Sequence, residues 1–512
     1  ASAQSPTASG AVVGPSMESD PTIVAALLKL MDVKDSHRPV PDPSSQAWDE
    51  IIRLGTPQGL RLLNRFYWTG ATLSEVLATA DDPRLKEQML ELARWDRQTD
   101  IRSVALVTLA GRHEAEHGKV FNEALNNPKF EVRFAALEAL QIWNKDPDVK
   151  QMLEYVIRSE TQPMLKVYAA QALWRRGGEQ GREEVLRQLD SGAWLTKAMA
   201  ARFVGELGKG EDYDNLLGRI DREQSNDFVV AELAIACLKL FPKRTPASPP
   251  PPSSPPAAGG DDIETLEITA PRLKIPATAL IDGRINAHLL RLLEKSETLP
   301  PPTPNQQVAR FIDPEESSLK ALDSPVGNQL KRRYTTLSFL LAESLAGTSD
   351  LILRDRILKA ARQHNDPQVR AAALVALAYN KDPNDRSLFQ EAMLAQNLTV
   401  RFGAVEALQV WKQPGYLDQI ASVARMDLSN FLQVYAAGIL WRSGDQAGRD
   451  IIIRRWDDTD SIVRALAVRY LGELGAAEDY SRILFQLDRE QDKWVKAEMA
   501  GALLRLNRLR KG

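Results

Sequence analysis

The sequence predicts an all-α fold, an α-solenoid of stacked helical hairpins in two tandem halves that a proline-rich linker joins. Three observations support this prediction. A segment of roughly 230 residues occurs twice in the 512-residue chain, shorter helical segments recur inside each copy, and strand patterns are nearly absent.

The best internal match pairs residues 131–143, EVRFAALEALQIW, with residues 399–411, TVRFGAVEALQVW, and nine of the thirteen positions are identical. The offset, 401 − 133 = 268, also pairs TPQG at 56–59 with SPVG at 324–327. A slip to an offset of 267 pairs VYAAQALWRRGG at 167–178 with VYAAGILWRSGD at 434–445. We therefore expect a tandem duplication, with a first helical half at 21–242 and a second at 283–512.

A shorter period runs inside each half, where helical segments start 31, 33 and 31 residues apart in the first half and 31, 32 and 31 apart in the second. All but one of these segments open with a basic residue: Arg102, Arg133, Lys166, Lys197, Arg370, Arg401 and Arg464, with Gln433 as the exception. Alanines three residues apart leave one helix face nearly flat, so a neighbouring helix can approach closely. A hairpin of this kind buries its apolar surface only by stacking on the next hairpin.

Residues 132–140, VRFAALEAL, and 400–408, VRFGAVEAL, resemble the second helix of a HEAT repeat, whose usual form is V-R-x-x-A-x-x-A-L. The repeats also resemble those of phycobilin lyases and related HEAT proteins. The resemblance implies that Arg133 and Arg401 bond between neighbouring repeats and that the second helices line a concave surface. The tryptophans near the helix ends, Trp143 and Trp411, are expected in the core.

Two regions lie outside the predicted solenoid. Residues 1–20 have a composition typical of disorder. Residues 243–282 are predicted to be a linker, because TPASPPPPSSPPAAGG at 245–260 favours an extended polyproline conformation and cannot form a packed core.

One strand pattern occurs within this linker, at residues 263–270. The segment resembles the TonB box of outer-membrane receptors, which is captured by strand addition. The resemblance implies that Ile263, Leu266 and Ile268 are candidate strand-addition residues. The alternative is a linker segment that lies along the solenoid or pairs with itself.

Composition limits the classes of function. The chain has 65 Lys and Arg against 68 Asp and Glu, a formal net charge of −3, so no basic excess draws it to nucleic acid. The single cysteine, Cys237, excludes an intrachain disulfide and is expected to be buried. No apolar run is long enough to predict a membrane span. The start, ASAQSP at 1–6, resembles what signal peptidase leaves on an exported bacterial protein, so a periplasmic or cell-surface location is expected, with the cytoplasm as the alternative.

Residues 113–117, HEAEH, match the H-E-x-x-H pattern that places two zinc-binding histidines and a general base on one helix face. The repeat period instead aligns this segment with the polar turns between helices. Deoxyhypusine hydroxylase, a HEAT-repeat enzyme, uses several His-Glu pairs to hold two irons, and this chain has one such pair, His113-Glu114. We therefore expect no catalytic residues, no bound metal and no cofactor.

These observations favour a non-enzymatic scaffold or adaptor that binds protein partners with the concave faces of its two arrays, as a component of a larger bacterial assembly. The alternatives are a HEAT-repeat enzyme or accessory, lyase-like or metal-dependent, and a nucleic-acid-binding solenoid. Candidate partner contacts are the polar residues that both halves share on their second helices: Glu138, Gln141, Arg202, Glu206, Glu406, Gln409, Arg469 and Glu473.

Overall fold

The computed structural model describes residues 20–32, 45–54, 56–67, 72–73, 76–77, 82–96, 99–144, 148–223, 226–244, 283–298, 322, 324–334, 337–345 and 350–511. Of the residues that the structure describes, 81% are helical and none lies in a strand. The prediction of an all-α fold is confirmed.

The helices before residue 245 are α1 Pro21–Asp32, α2 Gln46–Ile51, α3 Pro57–Tyr67, α4 Pro83–Trp95, α5 Thr99–Gly111, α6 Gly118–Leu125, α7 Phe130–Trp143, α8 Asp148–Ser159, α9 Pro163–Arg175, α10 Glu179–Gln188, α11 Trp194–Leu207, α12 Tyr213–Ile220 and α13 Asp227–Arg244. We call this part of the chain the first half.

The helices after residue 282, which we call the second half, are α14 Gly283–Thr298, α15 Pro325–Arg333, α16 Leu337–Leu345, α17 Leu351–Gln363, α18 Pro367–Ala378, α19 Arg386–Met393, α20 Leu398–Trp411, α21 Tyr416–Met426, α22 Asn430–Arg442, α23 Gln446–Arg455, α24 Ser461–Leu474, α25 Asp479–Leu487 and α26 Lys493–Lys511.

Local sequence sets where several of these helices begin and end. Asp366, Ser429 and Asp460 precede α18, α22 and α24, and each accepts a backbone N–H from the first turn. α7 and α20 are followed by Asn144 and Lys412, which adopt the left-handed conformation with φ of 48° and 51°. The chain therefore reverses direction sharply after each of these helices, as a stack of short hairpins requires.

Most helices pack in pairs of an outer and an inner helix. The outer helix α8 buries one stripe of four residues, whereas its inner partner α9 buries nine of thirteen. An inner helix is buried more completely because it contacts its own pair and also the inner helices on both sides. The inner helices pack in the order α5, α7, α9, α11, α13 and, in the second half, α16, α18, α20, α22, α24, α26. Cys237 on α13 is buried, as expected.

Small residues allow the inner helices to approach closely. A Cβ atom on Gly205 of α11 would lie 2.7 Å from Ala236 Cα on α13. At the equivalent contact between α24 and α26, a Cβ atom on Gly472 would lie 2.5 Å from Ala502 Cα. These distances are shorter than any tolerated carbon–carbon contact, so glycine is required at both positions.

The succession of packed helices closes on itself. At one junction, α13 of the first half packs against α14 and α16 of the second half. At the other junction, α26 packs against α1, and Gly501 lies against Val76, since a Cβ on Gly501 would be 2.5 Å from Val76 Cγ2. The first and last described helices are therefore neighbours, and the two halves meet at two places.

Several predictions fall on other parts of the chain. The candidate strand-addition residues Ile263, Leu266 and Ile268 lie outside the described residues, as do positions 1–19 and 245–282. Among the helices that the structure describes, none combines the length and the apolar character needed to cross a membrane.

The close contact between α11 and α13 generates a stability prediction. Replacing Gly205→Ala forces the added methyl against Ala236 Cα, which belongs to a helix backbone and cannot move cheaply. We expect the free energy of unfolding to fall by about 1–3 kcal/mol, although alanine has the higher helix propensity. Urea unfolding followed by circular dichroism measures this loss. The control is Gly192→Ala, where nothing lies within 4 Å of the new atom; equal stability of the two variants would contradict the packing account.

Candidate functional site

α3 and α15 are two of the described helices that lie outside the stacked pairs. α3 and α15 contact each other, and each begins against an inner helix that is remote in sequence. α3, from the first half, begins against α20 of the second half, while α15, from the second half, begins against α7 of the first half. Each half thus inserts one short helix into the inner face of the other half.

The N-terminus of α3 is held by a buried carboxylate. Gln58 N–H donates to Glu406 Oε1 at 3.2 Å, and Gly59 N–H donates to Thr56 Oγ1 at 3.2 Å. Glu406 is only 2% exposed. The first N–H groups of a helix lack partners inside the helix and carry partial positive charge, so a cap residue and an anion together satisfy them.

The N-terminus of α15 is held in the same way. Val326 N–H donates to Glu138 Oε1 at 3.3 Å, and Gly327 N–H donates to Ser324 Oγ at 3.1 Å. Glu138 is 1% exposed. A Cβ atom on Gly327 would lie 2.5 Å from Leu322 Cβ, so the tight turn before the helix requires glycine.

The other end of each inserted helix forms a buried ion pair. Arg65 of α3 donates through Nη2 to Glu498 Oε2 on α26 at 2.7 Å, and both side chains are 1% exposed. Arg333 of α15 binds Glu232 of α13 with two bonds of 2.6 and 3.0 Å. Tyr334 OH also donates to Glu232 Oε1 at 3.0 Å. Bidentate guanidinium–carboxylate pairs fix orientation, and breaking one in a buried site leaves an uncompensated charge.

Each half therefore carries two buried glutamates that hold the two ends of a helix from the other half. We call Glu138 and Glu232 the first clamp, and Glu406 and Glu498 the second clamp. In each clamp, the first glutamate binds a helix N-terminus and the second binds an arginine at the far end of that helix.

The environment of Glu138 disfavours its charge. Burial raises the pKa of its carboxyl from 4.5 to about 7, although bonds from the Ser324 hydroxyl and the Val326 N–H act in the opposite direction. Tyr168, whose ring stacks on Phe134 at 4.8 Å, lies nearby, and burial raises the pKa of its hydroxyl. The first clamp thus binds the helix N-terminus with a carboxyl that gains a proton near neutral pH.

The segment before α3 also binds the second half. Ala47 N–H and Ser45 Oγ donate to Asp460 at 3.0 and 2.9 Å, and Ser429 Oγ donates to Glu50 Oε2 at 2.6 Å. Asp460 and Ser429 are the N-terminal caps of α24 and α22. Residues 45–54 therefore run along the N-terminal ends of the inner helices and extend the contact made by α3.

The remaining charged candidates pair within their own half. Arg202 donates to Glu206 at 2.9 Å, and Arg175 reaches the same carboxylate at 3.0 Å. In the second half, Arg469 donates to Glu473 at 2.7 Å. The Arg202–Glu206 pair lies near the Arg333–Glu232 ion pair, since the charges of Arg333 and Glu232 affect the pKa of Arg202.

Electrostatics at Glu473 differ from those at Glu138. Burial raises the pKa of the Glu473 carboxyl, but the neighbouring charges of Arg469, Arg442 and Arg505, with the Arg469 hydrogen bond, outweigh it and lower the pKa to about 2. Glu473 is therefore held firmly as an anion, whereas Glu138 is not.

Four of the predicted contact residues lie on α7 and α20, the helices against which the inserted helices begin. Glu138 and Glu406 lie buried under α15 and α3, and Gln141 and Gln409 lie one turn further along α7 and α20. Tyr435 OH is 3.5 Å from Gln409 Oε1. The two inner faces are thus occupied in part by the chain itself.

Sequence reasoning missed the clamp glutamates Glu232 and Glu498 and the arginines that they bind, Arg333 and Arg65. A signal for them existed, since the TPQG and SPVG segments match at an offset of 268 residues and each is followed by an arginine nine residues after its Ser or Thr. The match alone indicates no role, because helix periodicity identifies which face of a helix is apolar and not which element packs on the opposite face.

The HEAEH segment does not form a zinc-peptidase helix. His113 has φ of 53° at the end of α5, and its Nδ1 lies 3.2 Å from Trp143 O. His117 is fully buried in a short 3₁₀ turn, Ala115–His117, and its Nδ1–H donates to Leu109 O at 3.0 Å. The two histidines therefore point to different partners.

Ligand atoms of Glu114, Glu116 and His117 do lie within 4.8 Å of one another, which is a spacing that could hold a metal ion. The Lys86 ammonium, however, contacts both Glu114 and Glu116, and Arg112 also binds Glu114 at 3.0 Å. These cations supply the positive charge that a metal would otherwise provide.

The same arrangement recurs elsewhere as an ordinary ion pair between successive outer helices. The equivalent contacts are Arg182–Asp212 at 2.7 Å, Arg354–Asp385 at 2.8 Å and Arg449–Asp479 at 2.9 Å. Lys86 and His117 occupy the positions that correspond to Arg354 and Asp385, and the separation of 31 residues is the same in both pairs. The group is therefore explained as one variant of a repeated structural contact.

Comparison with known proteins gives no assignment, because neither a family model nor a curated protein matches this chain. Functional inference consequently depends on the contacts described above.

The raised pKa of Glu138 generates a prediction about pH. The folded protein binds the Glu138 proton more tightly than the unfolded chain does. Protonation of Glu138 therefore stabilises the fold fully below pH 4.5, and this stabilisation is lost as the pH rises toward about 7. Glu138→Gln removes the titration, and its free energy of unfolding relative to wild type should rise by about 3 kcal/mol across this window. Urea unfolding at several pH values measures it.

The exposed Glu183 provides the matched control for this experiment. Glu183→Gln should show no such change with pH. A constant difference between Glu138→Gln and wild type from pH 4.5 to pH 7 would rule out a buried carboxyl that titrates in this range.

Proposed function

We propose that the protein is a non-enzymatic scaffold or adaptor that binds protein segments on the inner faces of two helical arrays. One observation carries this proposal: each inner face already holds a protein helix, with one buried glutamate at the helix N-terminus and another at an arginine on the far end. A face that binds a helix of its own chain in this way has the chemistry needed to bind a helix from a partner.

The architecture we propose is an α-solenoid of HEAT-type hairpins, duplicated in tandem. Equivalent contacts in the two halves support it. Arg133 Nε donates to Glu160 and Arg401 Nε donates to Asp427, each at 2.8 Å. Both arginines reach from an inner helix to the residues that follow the next outer helix, as the HEAT resemblance implies.

The tryptophans at the ends of α7 and α20 give a second pair of equivalent contacts. Trp143 Nε1–H donates to Glu114 O, and Trp411 Nε1–H donates to Asp382 O, both at 2.8 Å. The two indoles are 1% and 2% exposed. Contacts that recur 268 residues apart support a common origin of the two halves.

Two similar arrays provide two related sites for a partner, or two sides on which one partner is held. Membership of a larger bacterial assembly, and a periplasmic or cell-surface location, stay predictions.

The proposal is tested by comparing partner recovery between matched variants of the full-length protein. Gln141→Ala/Gln409→Ala alters both inner faces beside the clamp glutamates. The control, Glu183→Ala/Asp450→Ala, alters exposed residues at positions 267 apart on the outer helices α10 and α23. Each protein is immobilised, exposed to extract of the native source and analysed by quantitative mass spectrometry.

We expect at least one protein to be recovered in stoichiometric amount by wild type and control and to be reduced about tenfold or more by the inner-face variant, which corresponds to about 1.4 kcal/mol of binding energy. Equal recovery by all three proteins, or recovery of nothing above an empty support, would contradict binding at these faces. Circular dichroism confirms that each variant is folded.

A further inference from the structure

The two inserted helices share more than their position. Residues 56–66 read TPQGLRLLNRF and residues 324–334 read SPVGNQLKRRY. Aligned by the duplication offset, they have one pattern: Ser or Thr, Pro, any residue, Gly, two of any kind, Leu, two of any kind, Arg, and then Phe or Tyr. We call this pattern the insertion motif.

The polar positions of the motif each make a described contact. The Ser or Thr hydroxyl caps the helix by accepting the N–H of the motif glycine. The arginine binds a clamp glutamate of the opposite half: Arg65 binds Glu498, and Arg333 binds Glu232. Pro suits the first position of a helix because its missing N–H would have no partner there.

The apolar positions are buried. Leu62 and Leu330 are 4% and 3% exposed, and Phe66 and Tyr334, which follow the arginines, are 0% and 3% exposed. The motif glycines lie against a preceding leucine, where a Cβ atom would come within 2.5 Å of the leucine Cβ. Every shared position of the motif therefore has a physical reason to be the residue that it is.

The two receptor sites are also equivalent. In each half, the glutamate at the helix N-terminus comes from α7 or α20, which are equivalent inner helices, and the glutamate that binds the arginine comes from the last inner helix, α13 or α26. A helix of about ten residues spans the distance between these two contacts, and both inserted helices have this length. The sites thus select the length of a helix as well as its ends.

We propose that each half is a receptor for the insertion motif, and that the partner it accepts is a protein carrying this motif on a short helix. The inference rests on the proposed function and names the class of segment that the inner faces bind. α3 and α15 act as internal competitors, present at an effective concentration in the millimolar range because they belong to the same chain. A partner binds by displacing the resident helix from one clamp.

Two synthetic peptides test this with the full-length protein. One covers residues 54–67 and the other covers residues 322–335, and each carries a photo-reactive benzophenone side chain in place of Leu63 or Lys331. The protein is irradiated with up to millimolar peptide, and the labelled residues are mapped by mass spectrometry. The first peptide should label only the second half, between α20 and α26. The second should label only the first half, between α7 and α13.

Matched control peptides carry Arg65→Glu or Arg333→Glu. The new carboxylate then lies against Glu498 or Glu232, respectively. Labelling should fall about tenfold or more, because a buried pair of like charges replaces an ion pair. A Gly59→Val protein, in which the resident α3 cannot pack against Leu54, should be labelled by the first peptide at lower concentration than wild type.

Labelling that is equal for motif and control peptides, or absent from both wild type and the Gly59→Val protein at millimolar peptide, would overturn the proposal. Light scattering adds one more outcome. If the protein alone is a dimer that the peptides dissociate, the occupant is a second copy of this chain, and the claim of a separate partner is overturned. Loss of partner recovery in the inner-face variant combined with failed peptide labelling would refute the motif and leave the scaffold proposal standing.

Discussion

Reciprocal insertion of two helices between buried glutamates is the interaction on which the rest of this structure depends. Each inserted helix presents N–H groups without intrahelical partners at one end and a guanidinium at the other; the N–H groups are costly to bury without acceptors, and the guanidinium is costly to bury without an anion. The clamps provide carboxyl groups from inner helices whose other buried residues are nearly all apolar. Each half therefore supplies the polar partners that the inserted helix of the other half needs. The array of helices closes because neither half is complete alone.

The repeated hairpins make this possible by fixing where the clamp residues lie. Glycines such as Gly205 and Gly472 let inner helices approach to backbone contact, and the arginines of the V-R positions tie each hairpin to the next. Such a framework is stiff along the inner face, so two glutamates several helices apart keep the spacing that one short helix requires. Variation is tolerated on the outer side, where His117 takes the place that Asp212, Asp385 and Asp479 fill in other hairpins.

Much of the helical framework could be predicted from the sequence, because it depends on local patterns. Arginine and alanine at fixed spacing located α7 and α20, and the buried Trp143 and Trp411 follow from the same periodicity. The role of Glu138 could not be predicted, since the residue that covers it, Val326, is 188 positions away. Helix periodicity indicates that Glu138 lies off the core face of its own array, but only the tertiary structure shows that α15 covers it. The HEAEH segment matches a local spacing pattern, but a turn separates its two histidines.

The most direct test of reciprocal insertion is to cut the covalent connection between the halves. A specific protease site placed within residues 245–260 would be cleaved in the folded protein, and light scattering would then give the mass of the product without denaturant. If the clamps and the two junctions hold the halves together, the cleaved protein stays one particle of about the mass of the intact chain, 56.9 kDa. Separation into two fragments at micromolar concentration would contradict the account.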